Sequence, residues 1–563
     1  MSPTKQNVRK VPTRSRRRYV GLTIFIVFLA AIGGGLWYWN SNKKTIIKSK
    51  IENAITKKSK GFYQIKYDSL ELDEVAGYLS ISNMHLRYDS NMYAIAQNMG
   101  KAPPVILDIF IPKLSVAGVQ TPRALIEDEI VGRTLIIKDP VIDISYTYSG
   151  NDAKKNVPTR EVYKQILGNL DLIQIDTVLI TGAKIKTSSH KTKKSLFQLQ
   201  DVDITLVNVK VDSAAGVDPS RYLFAKELTA SCAGIGWASA NKLYNYRTGT
   251  IAMSSVTREL TVKSFTIHPN LAEDAFVNSL PTQDDRFDFT LGNIRLSRID
   301  VAKLLEEEVV AETMVVSPAT FKIYRDLAIP RDKVNRVGKY PHQVIDEIPI
   351  PFRVDKLILS NGFVEYKERN QITRQSGKVQ FYNIYATLTN FTNDKKVIAS
   401  NNLMTAEVSS KFLNKTALKT TWQFYLLHPK GRFNVKGSLG PITAGDLNPL
   451  TEPMGPAKIK EGRINGLEFN MEGNDYAADG TVELLYEGLK VSMLEKDKGA
   501  TETDKKFLMS LLANIVIKND NPKKNEEVRV AQAHFDRDTN RSIFHLVWKT
   551  IFQGIRETVG IKK

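Results

Sequence analysis

The chain has 563 residues, of which 42% are hydrophobic and 25% charged, and it contains one cysteine. A single cysteine excludes an intramolecular disulfide framework and any multi-cysteine metal site. The net charge of +19 would suit a nucleic-acid-binding protein, but residues 1–60 hold fourteen Lys and Arg against Glu52, so +13 lies there and only +6 on the other 503 residues. Because those residues show no dense basic stripe interleaved with aromatics, we expect no nucleic-acid partner.

An uncharged run occupies residues 19–39, with basic residues on both sides. At about 1.5 Å per helical residue, a run of this length crosses the roughly 30 Å hydrocarbon layer of a bilayer. A cleaved signal peptide is the alternative, but the apolar run continues through residues 36–39 with interfacial aromatics, which favours an uncleaved anchor. We predict a basic cytoplasmic tail over 1–18, a single transmembrane helix over 19–39 and a basic amphipathic linker over 40–60.

Beyond residue 60, most segments alternate apolar and polar residues over five to eight positions, as in TVELLYEG and WQFYLLHP. Gly, Asn and Asp interrupt these segments, which is typical of strands separated by turns. Sustained helical periodicity occurs mainly at the two ends of the chain. The body is therefore predicted to be mainly β, as an elongated antiparallel sheet with short connections.

The alternating segments recur at an offset near 180 residues. Block 69–86 aligns with 250–267, 126–137 with 305–316, 173–185 with 352–364 through one insertion, and 197–208 with 379–390. Amphipathic strands resemble one another in general, but four blocks in one order indicate a duplication. We predict β repeat units over 61–243 and 244–430, a partial third unit over 431–500, and a helical segment over 501–563.

Tandem strands of the type GYLSISNMHL after an apolar N-terminal run resemble the AsmA-like family, including the TamB group, of Gram-negative envelope proteins. The closing strand pattern of that family matches Gly480, Val482, Leu484, Tyr486, Leu489 and Val491. The resemblance covers most of residues 60–495 and rests on degenerate strand patterns. It implies an inner-membrane anchor and a periplasmic β-groove with an apolar lining, in proteins that move phospholipid between membranes or support outer-membrane assembly.

The apolar face of such a sheet needs a cover. A long curved sheet can fold over acyl chains, whereas in a β-sandwich two apolar faces cover each other, and the alternation fits both arrangements. For the groove, the predicted lining residues are apolar positions of the repeats: Leu70, Leu72, Leu79, Ile81, Ile251, Met253, Leu260, Val262, Val482 and Leu484.

The sequence contains no motif that recommends an enzyme. Asp536 and Asp538 have the spacing of a calcium loop, but the glycine and glutamate positions of that loop hold Arg541 and Val547. The segment GIGWAS (234–239) lacks the third glycine and the following helix of a nucleotide-binding turn, so a β-bulge is the better interpretation. We predict no catalytic, cofactor-binding or metal site.

Two C-terminal segments, 503–518 and 541–563, show helical spacing, and the second carries a net charge of +4. The last helix either plugs the end of the sheet or docks to a membrane or to a partner protein in the outer or inner membrane. For docking, the predicted contact residues lie on its apolar face: Phe544, Trp548, Ile551, Phe552 and Ile555.

We therefore expect a single-pass protein of the bacterial inner membrane. Its N-terminus is cytoplasmic, and its periplasmic body binds phospholipid or another envelope lipid and supports outer-membrane biogenesis. The alternative is a membrane-tethered β-sandwich scaffold that helps to assemble envelope proteins and carries no lipid. Phospholipid that co-purifies at fixed stoichiometry would separate the two, since a sandwich filled by its own side chains has no room for lipid.

Overall fold

The computed structural model describes residues 61–119, 129–147, 172–493 and 517–561, apart from positions 74, 101, 104, 191, 193–194, 216, 372–373 and 455–456. The protein is mainly β, with 57% of the described residues in strands and 14% in helices, which confirms the predicted class. None of the helices in these ranges has the length and hydrophobicity needed to cross a bilayer. The predicted tail, transmembrane helix and linker over 1–60 and residues 503–516 of the first predicted C-terminal helix lie outside them.

The described ranges contain the following strands, in chain order: β1 (Tyr63–Lys66), β2 (Ser69–Asp73), β3 (Tyr78–Tyr88), β4 (Val105–Ala117), β5 (Glu129–Lys138), β6 (Val141–Tyr146), β7 (Leu172–Ser189), β8 (Ser195–Val211), β9 (Glu227–Cys232), β10 (Gly236–Ala238), β11 (Tyr244–Thr248), β12 (Ile251–Ser254), β13 (Glu259–Val262), β14 (Phe265–Pro269), β15 (Arg286–Ser297), β16 (Val309–Asp326), β17 (Phe352–Arg369), β18 (Ser376–Thr392), β19 (Leu403–Phe412), β20 (Thr416–Tyr425), β21 (Phe433–Leu439), β22 (Ile442–Thr443), β23 (Ala457–Gly473), β24 (Ala477–Met493) and β25 (Val530–Asp536).

The helices of the same ranges are short except for the last one: α1 (Ser90–Asn98), α2 (Glu273–Asn278), α3 (Val301–Leu305), α4 (Pro341–Val344), α5 (Lys395–Ser400), α6 (Asn448–Met454) and α7 (Ile543–Thr558). Two 3₁₀ turns cover Ile345–Glu347 and Ala444–Leu447. The last helix, α7, confirms the helical spacing of the second C-terminal segment.

The chain divides into two compact units. The first consists of Met1–Ile235, Thr250–Leu260 and Asp300–Glu308, and the second of Gly236–Gly249, Thr261–Ile299 and Val309–Lys563. The predicted partial third repeat and helix α7 thus belong to the same compact unit as most of the second repeat.

The strand pairing confirms that the sheet is built from a repeated set of strands. In the first copy, β4 pairs antiparallel with β5 and β6, both of which pair parallel with β7, and β7 pairs antiparallel with β8. In the second copy, β15 pairs antiparallel with β16, β16 parallel with β17, and β17 antiparallel with β18. Strand β16 therefore corresponds to β5 and β6 together.

Three of these pairings, β5 with β7, β6 with β7 and β16 with β17, are parallel and depart from the antiparallel sheet that the sequence predicts. Parallel neighbours need a crossover connection, because the chain must return to the same end of the sheet before the next strand begins. In the second copy this connection runs from residue 327 to 351 and contains α4. Local alternation reports on strand faces and carries no information about strand direction, so the sequence could not predict the crossover.

The first unit packs its apolar face into a filled core. Cross-strand pairs align one residue from each of six strands, and none of these side chains is more than 2% exposed. From β3 to β9 this row consists of Leu79, Val116, Leu135, Val178, Leu206 and Leu228. In this unit the apolar face is therefore buried along the whole row.

The second unit has its core at one end of the sheet. Helix α7 lies on β24 and β25, where Leu546, Val482 and Phe433 are fully buried in one cluster. The crossover segment covers a neighbouring part, since Tyr340 packs edge-on against Phe433 at 5.9 Å and the His342 ring stacks on Phe424 at 4.9 Å. Two non-local segments therefore cover this end of the sheet.

The buried His342 predicts a loss of stability in acid. Burial lowers its pKa to about 4, which the nearby Asp475 carboxylate only partly opposes. The unfolded chain, with a histidine pKa near 6.5, binds the proton first, so stability falls as the pH drops from about 6.5 to about 4, by on the order of 3 kcal/mol in total. The variant His342→Phe keeps an aromatic ring against Phe424. We expect its melting temperature to change less with pH over this range than that of the unmodified protein.

The matched control for this change is the exposed His428→Gln, which should melt with the pH dependence of the unmodified protein. Part of the acid sensitivity should remain in His342→Phe, because burial also lowers the pKa of His545 to about 4. Identical pH profiles for His342→Phe and the unmodified protein would refute the assignment.

Candidate functional site

An apolar row crosses the sheet of the second unit and remains partly open to solvent. Cross-strand pairing places one residue from each of eight neighbouring strands on the same face. From β10 to β19, this open stripe consists of Trp237, Tyr246, Ile267, Phe289, Phe321, Val364, Phe381 and Phe412. Trp237 is 48% exposed and the other side chains are half-buried, so protein atoms do not fully cover the row.

Aromatic contacts hold the open stripe together. Trp237 stacks on Tyr246 at 5.3 Å between ring centroids, and Phe289 meets Phe321 edge-on at 4.2 Å. Phe381 lies 5.7 Å from Phe412. Rigid aromatic side chains of this kind present a large apolar area at a low cost in conformational entropy.

The opposite face of the same strands carries polar side chains beside one aromatic pair, Phe363 and Tyr382. The neighbouring register positions on β15 to β18 hold Asp288, Lys322, Glu365 and Gln380. Gln380 donates a hydrogen bond to the Glu365 carboxylate at 2.6 Å, and Asp288 lies 2.8 Å from the His268 ring. This face is suited to water, and the apolar face requires another cover.

The equivalent row of the first copy differs in both side chains and burial. Positions in the same pairing pattern hold Leu86, Ile109, Ile142, Ile185 and Leu199. The first three of these are at most 5% exposed, and the last two pack against the same core. Equivalent strands therefore carry a buried aliphatic row in the first copy and a partly exposed aromatic row in the second.

A polar cluster bounds the open stripe where β16 and β17 end. The Arg325 Nε donates to the Asp285 carboxylate at 2.6 Å, and the Tyr366 hydroxyl donates to Glu368 at 2.6 Å. Burial raises the pKa of Glu368 and of Tyr366, and on the helix side burial lowers the pKa of His545. Arg325 and Glu368 occupy paired positions on the stripe face, so the apolar surface stops at this edge.

Helix α7 borders the stripe beside this polar cluster, because His545 and Lys549 of the helix interact electrostatically with Arg325 and Glu368. The Ser542 hydroxyl caps the helix by accepting a hydrogen bond from the His545 N–H. A Cβ on Gly554 would lie only 2.5 Å from the Cβ of Val482, so the absence of a side chain lets the helix lie directly on β24. Phe544 on the adjacent helix face meets Trp422 of β20 at 5.9 Å.

The predicted groove-lining residues fall into three environments. Leu79, Ile81, Val482 and Leu484 are at most 4% exposed, the first two in the first unit's core and the last two beneath α7. Ile251, Met253, Leu260, Val262 and Leu70 are half-buried. Leu72 pairs with Leu79 through the backbone of β2 and β3. Ser80, which alternation places on the polar face, is also buried.

The predicted docking residues of α7 divide between two faces. Ile551 is buried, and Ile555 packs against the core of the second unit. Phe544, Trp548 and Phe552 are 63%, 44% and 42% exposed and form one row along the helix. The helix therefore packs as a core element and also keeps an exposed aromatic surface.

The residues of the open stripe are not among those that the sequence predicts as groove lining. Trp237 lies inside GIGWAS, between two segments that align, and Phe289 and Phe321 lie outside the aligned blocks. The available signal was aromatic alternation, as in RFDF (286–289) and TFKIY (320–324). Matched apolar positions in the two copies led instead to four buried residues and to half-buried residues outside the stripe.

The residues of the rejected calcium motif have structural contacts. Asp538 pairs with Arg331 at 2.9 Å, and the Asn540 side chain donates to the Asp332 carbonyl at 3.1 Å. In the portion of the chain that the structure describes, no group of three His, Cys, Asp or Glu side chains is arranged to hold a metal ion.

Comparison with known proteins gave no family model that matches the sequence and no curated protein that is significantly similar to it.

Proposed function

We propose that the protein binds lipid, with acyl chains covering the open stripe of the second unit. The observation that carries this proposal is the contrast between the two copies: the same strand pairing gives a filled face in one and a partly exposed aromatic face in the other. A contiguous apolar surface of this kind needs an apolar partner in water.

Acyl chains suit the shape and chemistry of the stripe. It is a continuous row across neighbouring strands, with a polar cluster at one edge and polar residues on the reverse face. Each lipid methylene removed from water against such a surface contributes roughly 0.8 kcal/mol, so even a partly covered chain binds usefully.

The resemblance to the AsmA-like family supports a phospholipid ligand and an envelope role. On this proposal, residues 19–39 anchor the chain in the bacterial inner membrane, the body is periplasmic, and lipid binding contributes to outer-membrane biogenesis. The anchor would hold the lipid-binding body beside the membrane that supplies the lipid.

Photocrosslinking tests lipid binding directly. A photoactivatable phenylalanine analogue at Phe289 or Phe381 should crosslink phospholipid, because both side chains belong to the open stripe. The same analogue at the neighbouring Thr290 or Gln380, on the other face of the same strands, should not. Mass spectrometry of the crosslinked peptides gives the readout.

Equal labelling at all four positions would mean non-specific contact and would contradict the proposal. The alternative function, a scaffold for envelope proteins without lipid, is favoured if the Phe289 and Phe381 probes capture protein and no lipid. The filled core of the first unit is what this alternative expects of the whole body.

A further inference from the structure

We infer that the exposed aromatic row of α7, formed by Phe544, Trp548 and Phe552, is the end wall of the acyl-chain site and contacts bound tails. This inference rests on the proposed function, since it concerns the extent of the same lipid site. In this inference the exposed face of α7 contacts bound lipid tails, whereas its amphipathic sequence would suggest contact with a membrane surface.

The aromatic row lies on a different side of α7 from the residues that face the sheet. The side of α7 that carries Leu546, Thr550 and Gly554 lies on β24 and β25, and the row lies on an adjacent side. Phe544, Trp548 and Phe552 follow one another at four-residue spacing, and Trp548 stacks on Phe552 at 6.0 Å. Side chains at this spacing share one helix face.

Trp422 and Phe412 link the aromatic row with the open stripe. Phe544 meets Trp422 of β20, and Trp422 pairs with Ala406 of β19. Because successive even positions of a strand share a face, Ala406 lies on the same face as Phe412, the last residue of the stripe. Phe412 and Trp422 both pack against the core that contains α7. The aromatic row and the last residue of the stripe therefore border the same core on one face of the sheet.

The charge distribution on α7 also favours contact with hydrocarbon tails. The row itself carries no charge, and the next polar positions on the helix are His545 and Lys549. His545 is kept neutral at neutral pH because burial and the adjacent Lys549 ammonium lower its pKa to about 4. An uncharged aromatic surface suits hydrocarbon tails, whereas anionic headgroups would favour Lys549 outside the row.

Tryptophan quenching tests the inference on the full chain in detergent micelles. One variant keeps only Trp548, with Trp37, Trp39, Trp237 and Trp422 changed to Phe, and a second keeps only Trp237. Both are loaded with phosphatidylglycerol brominated near the acyl termini, and excess lipid is removed. We expect loss of emission in both variants relative to the unbrominated lipid.

The outcomes separate the two proposals. Quenching of Trp237 but not Trp548 overturns the end-wall inference and leaves the proposed function standing, and quenching of neither overturns both. Quenching of Trp548 that requires brominated vesicles and is absent from the lipid-loaded micelles identifies the row as a membrane contact and also overturns the inference.

A second measurement uses the acyl composition of co-purified lipid. Replacing a wall phenyl ring by a methyl group in Phe552→Ala lengthens the apolar site, so the bound lipids should shift toward longer chains. The control is Tyr385→Ala, which removes an aromatic side chain of similar exposure from the polar face of β18. An unchanged chain-length profile in a folded Phe552→Ala protein would contradict the assignment.

Discussion

Changing Phe321 to Asp is expected to reduce co-purified phospholipid by about tenfold or more. A tenfold loss of affinity corresponds to only about 1.4 kcal/mol of binding free energy. Phe321 lies in the middle of the open stripe and packs edge-on against Phe289 at 4.2 Å. A carboxylate there would either face acyl chains without a counter-charge or keep water in the site, and both outcomes cost more than this amount. Phosphate analysis of the purified protein gives the lipid content.

The control is Thr320→Asp, which introduces the same charge one residue earlier on the opposite face of β16. It should retain its lipid. Resistance of both variants to limited proteolysis verifies that each is folded. A folded Phe321→Asp protein with unchanged lipid content would show that the open stripe is not the lipid site.

Removing the Arg537 guanidinium is expected to destabilise the second unit by about 3–5 kcal/mol, the typical cost of leaving a buried charge without its partner. Arg537 Nη1 donates to the Asp475 carboxylate at 2.6 Å, and both side chains are 1% exposed. Its Nη2 donates to the Arg336 carbonyl of the crossover segment at 2.8 Å, and its guanidinium lies 4.1 Å from the centroid of the Tyr340 ring. One side chain, directly after β25, thus joins the crossover to the turn between β23 and β24.

Arg537→Met tests this by urea unfolding, followed through tryptophan emission and through hydrogen exchange of the β25 amides. The control is Lys490→Met, whose ion pair with Glu461 spans 2.6 Å but is about 60% exposed on both sides. Exposed pairs contribute about 1 kcal/mol or less, so the control should change little. Adding Asp475→Asn to Arg537→Met should recover part of the loss, since no charge then remains unpaired. Equal effects of Arg537→Met and Lys490→Met would contradict the buried-pair account.

Local pattern was sufficient for the elements and for the repeat. Alternation predicted strands such as β24, and three- and four-residue spacing predicted α7. The offset near 180 residues predicted the equivalence of β7 with β17 and of β8 with β18, which the strand pairing confirms. These features are visible in the sequence because side-chain periodicity and chain order are properties of short segments.

The same local information could not identify the candidate site. Ile81 and Phe321 both occupy apolar positions on their strands, yet the first is fully buried and the second half-buried. A period of two residues determines which side chains share a face of a sheet, and it does not determine what covers that face.

By itself, the sequence determined that this protein is a duplicated, mainly β chain with one apolar face per strand set and a C-terminal amphipathic helix. The tertiary structure decided that the first copy's apolar face is buried in a core and that α7 and the crossover cover one end of the second unit's sheet. It also decided that the aromatic stripe from β10 to β19 stays partly open to solvent. The physical reason is that coverage of a sheet depends on contacts between segments far apart in the chain, such as Gly554 with Val482 and Arg537 with Asp475, which no local periodicity encodes.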